Sequence, residues 1–101
     1  MDYARVLAGK EKPLPIYKGV IACLENPKIF PDLLEPIYRE AMILDDETLD
    51  KFRFALLRLQ IHADIHRNED LEQAMHIKYV AQVIEKVVFG TLVMEREEFT
   101  E

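Results

Sequence analysis

Apolar residues at Leu49, Phe52, Leu56, Leu59 and Ala63 recur three or four positions apart, the spacing that draws one continuous stripe down an α-helix. After Arg67-Asn68-Glu69-Asp70 the pattern resumes with Leu71, Ala74, Ile77, Ala81, Ile84 and Val88. Two long helices joined by so short a connection must lie side by side and antiparallel, so the pattern predicts a helical hairpin with arms at about 46–67 and 69–94. In that register residue 62 stands roughly opposite residue 74. Asp45, Asp46 and Glu47 before the first arm, and Glu69 and Asp70 before the second, suit the positive ends of the helix dipoles. Asn68 is placed either to end the first arm or to cap the second.

A second row on the first arm, Phe54, Leu57, Ile61 and Ile65, widens its apolar face beyond what one neighbouring helix can cover. That width demands another partner.

The chain before the hairpin predicts two or three shorter helices. Tyr3, Val6 and Leu7 mark a short amphipathic turn over residues 2–9, with Gly9 as its stop. Pro13 and Pro15 then make a linker, so residues 1–15 are either a docked arm, an arm exchanged between protomers or a segment that orders on contact. Ile16, Val20, Cys23 and Leu24 follow a helical spacing up to Asn26-Pro27; a strand there would have no second strand to pair with. From Pro31 another helical face appears at Leu33, Leu34, Ile37, Tyr38, Ala41 and Leu44, with Asp32 and Glu35 spaced as a capping box. Pro36 would strain a regular turn, which moves the expected start of that helix to Pro36. The second hairpin arm is apolar nearly all round after Tyr79, with Gly90 as either its end or a point inside it. Residues 95–101 read as a charged, solvated tail. The expected architecture is therefore all-α: one domain over residues 1–101, a small antiparallel helical bundle built on the hairpin.

Composition narrows the function. Nineteen acidic against thirteen basic residues leave a net charge of −6, which argues against general nucleic-acid binding. Residues 1–30 carry five basic against three acidic side chains, whereas residues 31–101 carry eight against sixteen. No apolar run reaches the length needed to cross a bilayer, and the first residues have no apolar core of a secretory signal. A lone Cys23 makes no internal disulfide. These features suit the reducing cytoplasm.

The most suggestive polar group is His62-Ala63-Asp64-Ile65-His66. Histidines four apart share a helix face, and His76 on the next helix could complete a zinc, nickel or copper site, with Glu69 or Asp70 beside it. The competing explanation is that His66 complements the negative end of its helix and His62 edges the core. The carboxylate-histidine spacing of di-iron bundles is absent, because Glu72 and His76 stand four apart rather than three and have no second copy. Cys23, set among Val20, Ile21 and Leu24, reads as a small core residue. Three scattered glycines form no phosphate-binding loop. Helix capping accounts for the acidic cluster at Asp45–Asp50.

With no catalytic constellation, the expected role is a noncatalytic protein-protein interaction, regulatory or adaptor module that acts through an acidic helical surface or an apolar groove. Its partner would be a basic amphipathic segment. A homodimer is also expected, its interface made from two hairpins, with Phe52, Phe54, Arg58, Ile61, Tyr79, Val83 and Val87 as candidate contacts. A histidine-based metal protein and a small enzyme with its active site at a dimer interface are the alternatives.

Overall fold

In this computed structural model, which describes residues 2–90, the chain forms α1 (Tyr3–Ala8), α2 (Tyr17–Glu25), α3 (Phe30–Met42), α4 (Asp46–His66) and α5 (Leu71–Glu85). The last runs on into a π-helical turn over Lys86–Gly90. Among the described residues no strand occurs, and the class is all-α. Residues 91–101, which include the end of the expected second arm and the charged tail, lie outside the described residues.

The 21-residue α4 is the element on which the others are placed. Asp45 fixes its start by accepting the Thr48 amide at 2.8 Å, and hydrogen bonding from Thr48 holds the Asp45 carboxyl below its ordinary range. Asp70 caps α5 in the same way, accepting the Gln73 amide at 3.1 Å, so Asn68 takes neither role expected of it. α4 makes its most extensive contact with α5. Lys78 Nζ stands 2.8 Å from Asp64 Oδ1, while the Phe52 and Phe89 rings lie 5.8 Å apart. Numbers that fall along α4 rise along α5, so the two helices are antiparallel.

Their register differs from the one expected, with residue 64 against 78 rather than 62 against 74. The connection explains the shift. The Glu69 amide bonds the His66 carbonyl at 3.0 Å, carrying the chain through a further turn before extended Asp70 reverses it. The first turn of α5 therefore overhangs the end of α4, and Leu71, expected on the core stripe, is 59% exposed.

One side of α4 buries Phe52, Leu56, Leu59 and Ala63 against Ile77, Val80 and Ile84 of α5, and Leu7, Val20 and Ile37 bring α1, α2 and α3 into the same core. This burial is what makes short helices such as α1 tenable, since six residues do not hold a helix in water. α2 is helical rather than extended, and its Gly19 faces Ile37, where a Cβ would come within 3.1 Å of Cγ1. Lacking that atom, the two helices approach closely.

α3 continues through Pro36, and Asp32 lies inside the helix instead of capping it. The proline removes the donor for the Asp32 carbonyl, but this first turn is exposed and water can serve the oxygen. Phe30 and Ile37, both buried, anchor the segment on either side of the proline.

The N-terminal segment is docked on its own chain. Asp2 accepts the Arg5 amide at 3.2 Å to start α1, and Tyr3, Leu7 and Ala8 are buried. Gly9 ends the helix at φ +60°, a conformation that costs a glycine little. A Cβ on Gly9 would also stand 3.2 Å from Arg58 Nε. That side chain reaches across from α4, where Arg58 Nη2 donates to the Leu7 carbonyl at 2.6 Å, and Gln73 Nε2 of α5 donates to the Tyr3 hydroxyl at 3.1 Å.

Candidate interaction surface

A helix advances about 100° per residue, so Phe54, Leu57, Ile61 and Ile65, spaced three, four and four apart, fall opposite the buried stripe of α4. They are 60%, 48%, 50% and 69% exposed. No helix among the described residues covers them. Leu71 and Met75 of α5, the latter 64% exposed, line a hollow with Asp64 and Lys78 and continue the apolar face across Asp64.

Charged groups border this face on the side toward α5. Arg53 lies 3.8 Å from Glu85 and 5.6 Å above the Phe89 ring, and Gln60 donates to Glu85 at 3.3 Å. Farther along, Asp64 holds Lys78. Arg53 and Asp64 are each more than half exposed, so these pairs contribute little to stability. Their value lies in presenting oriented charge beside an apolar row. Asp50, Arg53, Phe54, Leu57 and Glu85 line a second hollow at the other end of the face.

Of the seven contacts expected from the sequence, Phe54 and Ile61 lie on this exposed row. Phe52 does not. It is fully buried in the protomer's own core, between Tyr17 at 6.3 Å and Phe89, because its position on the helix points toward α2 and the π turn. Arg58 is partly buried and pairs with a backbone carbonyl of α1 rather than rimming an interface. Tyr79, 58% exposed, sits on another side of α5 with its ring edge-on to Phe30 at 5.8 Å. Val83 and Val87 are half-buried, and Val83 packs on the core. Leu71 and Met75 escaped sequence reasoning because their exposure depends on the overhang of α5.

The histidines separate into two places. The His62 and His66 rings lie tilted at 41° to each other with centroids 4.3 Å apart, and His66 Nδ1 meets Glu69 Oε2 at 3.0 Å. His76 instead lines a hollow with Pro27, Asp70, Glu72 and Gln73, on the side of α5 toward the α2–α3 turn, and its Nε2 is buried without a hydrogen-bond partner. Among the described residues no three His, Cys, Asp or Glu side chains are placed to hold a metal ion. The expected meeting of His76 with the other two rings fails because the register and the helix face both carry it away.

Burial lowers the pKa of His62, and the neighbouring His66 lowers it further, while Glu69 opposes them. A histidine with a depressed folded pKa binds fewer protons folded than unfolded. Its contribution to stability is complete above the unfolded value of about 6.5 and is lost as pH falls through the lower folded value. Urea midpoints are therefore expected to drop between neutral pH and pH ~5, with His62→Gln flattening the profile; an unchanged slope in that variant would assign the effect elsewhere.

Cys23 is fully buried, and burial pushes its thiol up to about 11, which leaves it protonated and a poor nucleophile at neutral pH. No helix of the described chain is long and apolar enough to cross a membrane. In comparisons with family models, curated proteins and solved structures, no family model, curated protein or solved structure matches this chain.

Proposed function

We propose that the protein is a noncatalytic protein-protein interaction module of the cytoplasm, working as a homodimer, with the outer face of the α4–α5 pair as its contact surface. The observation that supports this reading is the exposed row Phe54, Leu57, Ile61 and Ile65 along a helix whose opposite side is fully packed. A solvent-facing helix side is ordinarily polar, and a continuous apolar row there is disfavoured unless something covers it. The lone, protonated Cys23 accords with a reducing compartment.

A partner other than a second copy would be a basic amphipathic segment. It would be drawn to the acidic start of α4, where Asp45, Glu47 and Asp50 are exposed and Ile43 is 84% exposed beside them.

Native mass spectrometry of the untagged protein from its own cells tests the reading. A mass holding two copies of the chain is expected, alone or within a heteromer, and Ile61→Glu should abolish the pairing while leaving the helical circular dichroism unchanged. A single bare chain at every ionic strength would contradict it.

A further inference from the structure

We infer that the outer face of α4 is occupied by the same face of a second copy, the two helices lying antiparallel about a two-fold axis near the middle of the row. This rests on the reading that the chain self-associates, and adds which surface meets which and in what direction.

The apolar row nearly maps onto itself when reversed. With the axis passing between residues 59 and 60, Phe54 of one copy comes level with Ile65 of the other, and Leu57 comes within one residue of Ile61. Each large side chain then meets another, as an isologous interface requires.

Charge selects the direction. Arg53 and Asp64 flank the same edge of the row, and a two-fold of this kind brings like edges together. Reversal places Arg53 within about two residues, roughly 3 Å along the axis, of the second copy's Asp64, and the reciprocal pair forms at the other end. Each side chain already has a partner in its own chain, Glu85 for Arg53 and Lys78 for Asp64, so across the interface the signs alternate: Lys78, Asp64, Arg53, Glu85. A parallel two-fold pair would instead carry the two Arg53–Asp64 edges to opposite sides of the interface, where neither reciprocal pair can form. Helix dipoles favour the antiparallel arrangement as well.

The area is sufficient. The four residues of the row with Leu71 and Met75 are each about half exposed or more, offering roughly 100 Å² apiece and about 600 Å² together. A standard interface buries about 800 Å² per partner, some 56–65% of it apolar. The exposed apolar surface thus matches one standard interface.

Disulfide trapping tests the geometry, and buried Cys23 does not interfere. A Phe54→Cys protein labelled with nitrogen-15 is mixed with an unlabelled Ile65→Cys protein under mild oxidation. The mixed dimer is expected to be the dominant crosslinked mass, because residues 54 and 65 of opposite copies are level. Neither variant alone should link efficiently, since its own cysteines would be staggered by about eleven residues, roughly 16 Å along the axis, well beyond the ~7 Å Cα separation a disulfide spans. Efficient linking of Ile65→Cys with itself would indicate a parallel pair and overturn the inference. A dimer seen by sedimentation in the absence of any mixed disulfide would also overturn it, yet leave self-association standing; a wild-type chain that never associates would remove both.

Discussion

Replacing Phe52, the largest fully buried side chain among the described residues, with alanine is expected to cost the fold about 3–5 kcal/mol. The ring is completely buried and lies where three elements meet: Tyr17 at the start of α2 at 6.3 Å, Phe89 in the π turn at 5.8 Å, and the α4 backbone that carries it. Truncation removes apolar contact and leaves a cavity that α4 cannot collapse into, because its neighbours Ala55, Leu56 and Leu59 are also fully buried. A domain of this size has only about 5–15 kcal/mol to lose. The urea midpoint followed by circular dichroism should fall by a third or more with little change in slope. A loss near 1 kcal/mol would mean that the Tyr17, Phe52 and Phe89 cluster is looser than described.

The second large effect is expected at Arg58. Its guanidinium donates at 2.6 Å to the Leu7 carbonyl, one of the unpaired acceptors at the end of α1, and Gly9 gives the space for it to pass. Hydrogen bonds to a charged group contribute roughly 1.5–3 kcal/mol, and removing the donor also strands a carbonyl beneath α1. Arg58→Ala should therefore release α1 selectively. Hydrogen exchange at the amides of residues 6–9 would speed markedly while those of α4 and α5 change less. Arg58→Lys should recover only part, because one ammonium does not reproduce the guanidinium fork. Equal acceleration throughout the chain would show that Arg58 supports the whole core rather than tethering one element.

How much of this could be read from residue order differs from element to element. The stripe Leu49 to Ala63 is long and regular, and α4 follows it almost to the residue; Asp45 and Asp70 likewise reveal the starts of α4 and α5 by their chemistry. Pro36 misleads because its local strain is real but small against the burial of Phe30 and Ile37 on either side. Phe52 and Phe54 are both aromatic and two residues apart, so periodicity places them on different sides of α4 without saying which side a partner would see. The overhang of α5 depends on the turn at His66–Glu69, a local hydrogen bond with no strong sequence signal, and this one displacement accounts for both the exposure of Leu71 and the separation of His76 from His62. The row Phe54, Leu57, Ile61 and Ile65 was legible as excess apolar width; that no helix among the described residues covers it follows only once α1, α2, α3 and α5 are seen to pack elsewhere.

A second copy covering this row would show itself in sedimentation equilibrium of the wild-type chain beside Ile61→Glu across the micromolar range. The wild type is expected to rise from the mass of one chain to that of two, with Ile61→Glu remaining at one chain over the same range. A wild-type protein that stays at one chain throughout, or an Ile61→Glu protein that dimerises as readily, would contradict the account.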